Sequence, residues 1–239
     1  MRKPVFISFA KNTFQVSDGE SGFKEFSIYN FDNEMPTFEN VEIKDPATSQ
    51  LVSVLVSKNA SQVSLRNVPY IPVFQAMWNN VDINLKNFKE FMKSNFSISR
   101  IFKHNAVIIM PDDSIEIDNR SVIDFLTTSG FINKIYLFGV GLVLDSPDNY
   151  YMAVTKSVRA VALSLIKDGG ILKQEFFPVD HNDVENLKAL MVSWSNQFNI
   201  SNPSVLLHGR DIDTLSAVGT VISDSKVLDF VKMVRKHLM

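Results

Sequence analysis

The chain has 239 residues, enough to bury a sizeable core in one large domain or two lobes. With 45% hydrophobic residues, 21% charged residues and a net charge of −2, it has a globular balance and no strong basic run of the kind nucleic-acid binders concentrate. It has no cysteine, which excludes disulfides and thiolate metal sites and fits a reducing compartment.

The first residues, MRKPVFISFAKN, are not expected to form a signal peptide, because Lys11 and Asn12 interrupt the apolar run. No stretch approaches the roughly 18 apolar residues of a membrane span. Nineteen phenylalanines against nine glycines predict an aromatic-rich core with little glycine for phosphate-cradling loops.

In chain order, Val5–Ser8 and Thr13–Ser17 read as two strands around a tight turn. Phe23–Asn30 alternates imperfectly and is expected to be a strand. Asp32–Asp45 is polar, contains Pro36 and is expected to be a loop or edge segment. Leu51–Val56 is a strand of Val and Leu. Asn80–Phe96 is the first clear helix, with Ile83, Leu85, Phe88, Phe91, Met92 and Phe96 at helical spacing. Ala106–Met110 has the run of a buried strand and is closed by Pro111. A helix from Ile115 to Ser129 follows, with Ser114 as its expected cap and Gly130 as its stop. Lys134–Phe138 is a short strand. Strand, helix and strand in this compass predict a βαβ unit with parallel strands.

Beyond the polar loop Ser146–Asn149, the strands Tyr150–Val154, Ala160–Ile166 and Ile171–Phe177 are expected to be antiparallel, with Asp168-Gly169-Gly170 as a hairpin turn. A helix capped by Asp183 or Asn182 carries Val184, Leu187, Leu190, Met191, Trp194 and Phe198 on one face. Val205–His208 is a buried strand, and Lys226–Leu238 is a final amphipathic helix.

This order of elements resembles the bacterial actin-like proteins, with the MreB family as the nearest pattern. The stretch AVIIMPDDSIEIDNRSVIDFLTTSGFINKIYLF, Ala106–Phe138, carries the resemblance most clearly. Pro111, Glu116, Arg120, Val122, Gly130 and Tyr136 fall on matching positions. The resemblance implies an α/β, actin-like (ribonuclease H-like) fold of two lobes, each a mixed sheet flanked by helices. The lobes are expected at 1–145 and 146–239, with the final helix returning to the first.

The same resemblance locates the nucleotide loops, and each departs from the family. A first phosphate loop has an Asp, a Gly and small polar residues, because a carboxylate holds hydrated Mg²⁺ and glycine admits phosphate to backbone N–H groups. Here Asn12 and Thr13 fit, Ile7 or Ser8 replaces the Asp, and Phe9 or Ala10 replaces the Gly. The second loop, D-x-G-G-G-T-T in the family, falls on Thr155-Lys156-Ser157-Val158-Arg159-Ala160-Val161 when Gly169-Gly170 sets the register. Thr155 and Ser157 are polar, but the acid and the glycines are absent. The family's catalytic Glu falls near Val140. Its adenosine-side glycine triplet falls on Gly209-Arg210-Asp211, with only Gly209 retained.

These losses imply a pseudo-ATPase with no cofactor, no metal and no catalytic residues. Its cleft is expected to be filled by side chains such as Phe9. Lys11, Lys156 and Arg159 read as solvated, with anion binding as the alternative. Only 34 residues separate the Gly170 hairpin from the Val205 strand, so the second lobe is expected to be shortened by the loss of the family's subdomain IIB.

Other constellations are weak. His104, His181, His208 and His237 lack metal-ligand spacing and read as structural. Asp112-Asp113 reads as acidic residues favoured near a helix N-terminus. Gly139-Val140-Gly141 is an incomplete dinucleotide fingerprint. In the last helix, Lys226, Lys232, Arg235 and Lys236 flank the apolar Phe230 and Val234. Such a helix either binds an anionic membrane surface or a partner, or packs on the first lobe. The packed alternative is preferred, since the helix begins close to the preceding core strand.

The sequence therefore predicts a non-catalytic actin-like scaffold, cytoplasmic or peripheral at the inner membrane. Its partner would be another protein of an envelope, filament, pilus or secretion system, with self-association as a further option. Actin-like platform proteins of type IV pilus systems use the fold in this way, although fold does not fix function. The alternatives are a divergent ATP-binding filament protein and a small-molecule enzyme or sensor using the same cleft.

Overall fold

A computed structural model describes residues 4–28, 38–44, 51–57, 72–78, 80–96, 103–146 and 149–238. The first sheet contains β1 (Val5–Ser8), β2 (Gln15–Ser17), β3 (Lys24–Glu25), β6 (His104–Met110) and β7 (Ile132–Gly139) in the order β3-β2-β1-β6-β7. The second contains β8 (Tyr151–Lys156), β9 (Ala160–Lys167), β10 (Gly170–Pro178), β11 (Ser204–Gly209) and β12 (Thr220–Val221) in the order β10-β9-β8-β11-β12. Each sheet thus has two hairpin-joined antiparallel strands on one side and two parallel strands on the other. The two sheets share one topology.

The helices are α1 (Val73–Ala76), α2 (Val81–Phe96), α3 (Glu116–Thr128), α4 (Val184–Gln197) and α5 (Asp224–Leu238). A separate antiparallel pair, β4 (Phe38–Lys44) and β5 (Leu51–Ser57), stands outside both sheets. Of the polar stretch expected as a loop or edge segment, residues 38–44 form a seven-residue edge strand, because cross-strand pairing with β5 overrides their composition; residues 32–37 and 45 lie outside the described residues. Phe23–Asn30 is corrected in the opposite direction. Among its described residues, 23–28, only Lys24 and Glu25 pair, while Phe26 and Ile28 turn into the core; residues 29 and 30 lie outside the described residues.

The central strands are buried on both faces, as strands flanked on either side by packed layers must be. Alternate residues of β1 and β6 separate cleanly. Val5, Ile7, Ala106, Ile108 and Met110 enter a first core beneath α1, α2 and α3. Phe6, Val107 and Ile109 enter a middle core shared with Tyr151, Ala153 and Ile166 of the second sheet. Met152, Val154 and Leu163 on the far side of the second sheet pack with Leu187 and Trp194 of α4.

The phenylalanine excess goes into the first core. Phe14 lies 5.2 Å from Phe26 and 5.2 Å from Phe88, centroid to centroid, and Phe88 lies 5.8 Å from Phe125. Offset and edge-on aromatic pairs of this kind add about 0.5–1.5 kcal/mol each beyond their area burial.

Helix ends follow local chemistry. Asp183 caps α4, accepting from the Asn186 amide at 2.9 Å. Ser114 does not cap α3. The N-cap is Ile115, and Asp118 reaches back to accept from its amide at 3.1 Å. The Asp168-Gly169 turn is as expected, with φ of 50° and 70° in the left-handed region. A single helix, α4, links β10 to β11. The apolar face of α5 is not free: Val227, Leu228 and Val231 are buried in the middle core with Phe6 and Val107.

Candidate interlobe site

The loops after β1, β6 and β7 meet the β8–β9 turn across the two sheets. Carboxylates of the first sheet's loops are held there by hydroxyls and a guanidinium of the second. Asp112 accepts from Thr155 Oγ1 at 2.6 Å and from the Gly141 amide at 3.1 Å to each oxygen. Asp113 Oδ2 accepts from Ser157 Oγ at 2.9 Å and from Arg159 Nε at 3.0 Å. Arg159 Nη2 donates to the Asp113 carbonyl at 3.0 Å and to Asp118 Oδ2 at 2.7 Å. Gln75 Nε2 donates to the other Asp118 oxygen at 3.0 Å, which fixes the carboxylate from the α1 side. The guanidinium sits 5.6 Å from the Phe74 ring centroid, within cation–π range.

Local sequence sets these geometries. Pro111 ends β6 and aims the two following acids past the sheet edge. Gly139 and Gly141 are glycines because a Cβ at either position would run into the Asp112 carboxylate. Ser157 closes the β8–β9 turn by accepting from the amides of Arg159 and Ala160 at 2.8 and 3.1 Å. Gly209 has φ of +135°, and a Cβ there would overlap the Lys156 carbonyl.

Burial pushes the Asp112 carboxyl up to about 6, against the downward pull of Thr155 and the Gly141 amide, and the neighbouring Asp113 adds to the rise. For Arg159, burial opposes the charge, but the carboxylates of Asp118 and Asp113 outweigh it and raise the pKa. Burial likewise raises the Tyr151 phenol, whose hydroxyl donates to the Gly141 carbonyl at 2.8 Å. The space between Ala10, Pro111, Asp112, Val140, Thr155 and Ser157 holds no void large enough for a water molecule.

The sequence-selected residues separate into distinct roles. Asn12, with φ of 58°, accepts from the Val73 amide at 2.7 Å and so fixes the start of α1. Thr13 Oγ1 is buried without a hydrogen-bond partner among the described residues. Thr155 and Ser157 belong to the network, and Gly209 lies behind it.

Phe9 does not fill the cleft. It is fully buried in the first core, 4.8 Å from Phe14 and 6.1 Å from Phe74. The part of the cleft around Asp112, Thr155 and Ser157 is filled by polar side chains instead. Arg159 is not a solvated cation, and Asp112 and Asp113 do more than favour a helix terminus. Sequence reading missed their function because the partners lie more than forty residues away in the chain. The pairing of Asp112 with the Gly139-x-Gly141 segment was the available signal. Lys11 pairs with Asp224 at 2.8 Å.

In α5, Lys226 is exposed, and Phe230 and Lys232 are half-buried, with Lys232 3.2 Å from Asp229. The side chains of Val234, Arg235 and Lys236 lie outside the described set. His208 is buried, with Nδ1 2.8 Å from the Ile222 carbonyl, and burial lowers its pKa. It lines an open cavity of about 320 Å³ with Lys11, Gly209 and Arg210. No metal-holding cluster of His, Asp or Glu occurs among the described residues. No helix among them is long and apolar enough to cross a membrane.

Two mixed sheets of five strands, each flanked by helices, make the two-lobed actin-like fold. The comparison with solved structures agrees. MreB 5 of Spiroplasma citri bound to AMPPNP is similar over 100% of this chain and 98% of that one, with 10% identity and a TM-score of 0.51. The same protein bound to ADP is similar with 11% identity over 100% and 98% of the two chains and a TM-score of 0.49. An AlfA filament bound to AMPPNP is similar with 14% identity over 99% and 98%, and a TM-score of 0.45. No family model and no curated protein matches the chain.

Proposed function

We propose that this chain is a non-catalytic actin-like assembly protein that works through protein–protein contacts. The observation that carries the reading is the seam between Asp112, Asp113 and Asp118 on one side and Thr155, Ser157 and Arg159 on the other. The resemblance to actin-like proteins puts the second phosphate loop at Thr155–Val161, and the three carboxylates face that loop. Here the chain's own carboxylates lie where anionic phosphates would have to go, and they already take up the guanidinium and hydroxyls. A phosphate beside Asp112 and Asp113 would meet like charge in a buried setting, and the Gly141 amide is already taken by Asp112.

A bound nucleotide couples the two lobes of an actin-like protein only where it is gripped from both sides. In this chain the interlobe hydrogen bonds do that work without a ligand. The protein is therefore a fixed platform rather than a nucleotide-timed one. Its partner is a protein of a filament, pilus, secretion or other envelope assembly, engaged from the cytoplasmic side. Packing of Val227, Leu228 and Val231 into the core supports a structural role for α5 over membrane anchoring.

Calorimetry with ATP and ADP, with and without Mg²⁺, tests the reading. No heat of binding is the expected result. Micromolar, Mg²⁺-dependent binding would overturn it in favour of a divergent ATP-binding filament protein, the open cavity beside Lys11 and Gly209 then being the place to look.

A further inference from the structure

The outer edge of the second sheet is unusual for a protein that stays alone. β10 is the terminal strand of the sheet, spans nine residues and has no strand on its far side among the described residues. Natural edge strands are ordinarily short or studded with charge, because an open row of backbone donors and acceptors invites another strand. This one is long, and beside one charge of each sign, Lys173 and Glu175, it carries large apolar side chains in water: Ile171 and Leu172 are each 43% exposed and Phe176 is 49% exposed.

Its register with β9 fixes the faces. Gln174 and Phe176 stand opposite Ser164 and Ala162, whereas Lys173 and Glu175 stand opposite Leu165 and Leu163, on the side covered by α4. The one register irregularity lies between Ile171 and Lys173, so Lys173–Pro178 is regular.

The sequence of this edge is self-complementary. Turned antiparallel on itself about Gln174, Lys173 of one copy falls opposite Glu175 of the other, a pair occurring twice by symmetry, and Leu172, at the irregularity, comes beside Phe176. Opposite charges and large apolar residues are the cross-strand pairs that stabilise a sheet. Within one chain these groups have poor substitutes. Lys173 reaches only the neutral, exposed Gln197 Oε1 at 3.2 Å and the Trp194 ring at 4.9 Å.

We infer that β10 is a homodimerisation edge: two copies pair antiparallel through residues 172–176 about a two-fold axis at Gln174, making one continuous sheet across both. The charge pattern selects a second copy rather than a foreign strand, since each residue of the edge supplies the partner that its counterpart lacks. The inference is independent of the cleft. Nucleotide binding would overturn the proposed function and leave this pairing untouched.

Sedimentation of the full chain without nucleotide, over a range of concentrations, provides the test. A reversible monomer–dimer equilibrium is expected. K173E places glutamates opposite each other and E175K places lysines opposite each other, so each weakens the dimer by roughly tenfold or more. The double exchange K173E/E175K restores the opposite-charge pairs and with them most of the affinity. Glu175 is exposed and Lys173 half-buried, and thermal melts of the two single variants and the double variant check that each stays folded. Amide hydrogen exchange gives a second readout, with protection of residues 172–176 rising with protein concentration. A wild-type chain that stays monomeric, single reversals that leave the dimer unchanged, a double exchange as weak as the singles, or concentration-independent exchange of β10 would each overturn the proposal.

Discussion

Arg159, in the turn between the first two strands of the second sheet, donates to Asp118 on α3 at 2.7 Å, although Asp118 is itself 1% exposed. A buried carboxylate on one lobe is thus neutralised only by an arginine that belongs to the other. Separating the lobes would leave Asp118 charged in a low-dielectric site with only amide donors, so the pair resists opening of the cleft.

Arg159→Met removes that neutralisation together with the guanidinium's contact with the Phe74 ring. Breaking a fully buried pair costs about 3–5 kcal/mol, and the partial exposure of Arg159 lowers the expected loss to about 2 kcal/mol. Urea denaturation should show a lower midpoint with an unchanged slope. Arg159→Lys keeps the charge but loses the fork that reaches both Asp113 and Asp118, so it recovers only part of the loss.

Asp112→Asn tests the buried carboxyl. Its folded pKa, about 6, lies above the unfolded value of 3.8, so folding favours the protonated form. The stabilising contribution is complete below the unfolded pKa and is lost as pH rises through about 6. Relative to the variant, the wild type should therefore lose about 2 kcal/mol between pH 4 and pH 7. His208 acts with the opposite sign. Its pKa is lowered by burial, so its contribution is present above the ordinary histidine value and disappears on acidification. The difference between wild type and Asp112→Asn, measured by thermal melts at each pH, isolates the carboxyl from this counter-effect.

Phe9→Gly separates a core role from a cleft role. Phe9 is fully buried against Phe14 and Phe74, and such truncations cost about 3–5 kcal/mol. A variant within about 0.5 kcal/mol of wild type in chemical denaturation would show that the loop after β1 lies in solvent.

Gly141→Ala should cost about 1–2 kcal/mol, since the new Cβ would stand 2.8 Å from Asp112 Oδ2. Gly22→Ala, where nothing lies within 4 Å, is the silent control. In a double-mutant cycle, Asp112→Ala should relieve most of the Gly141→Ala penalty, because the clashing carboxylate is gone.

The sequence legible on its own included most of the fold. Helical spacing in Asn80–Phe96, the uninterrupted apolar run of Ala106–Met110 and the Asp168-Gly169-Gly170 turn each located an element, because they depend on residues close in the chain. The same locality explains the errors. Phe38–Lys44 is too polar to announce a strand, yet pairing with Leu51–Ser57 makes it one. Ser114 has a capping side chain, yet Asp118 performs the function from the next turn.

The site was only half legible. Thr155, Ser157 and Arg159 could be picked out residue by residue. What they bind could not be read. Asp112 and Thr155, or Asp118 and Arg159, are separated by more than forty residues, and neither residue type specifies its partner. Apolar periodicity decided which faces are buried, since burial depends on composition along a single element. Only the tertiary structure decided that buried carboxylates and a guanidinium close the seam, because a charge pair exists only where two lobes bring both members together out of water.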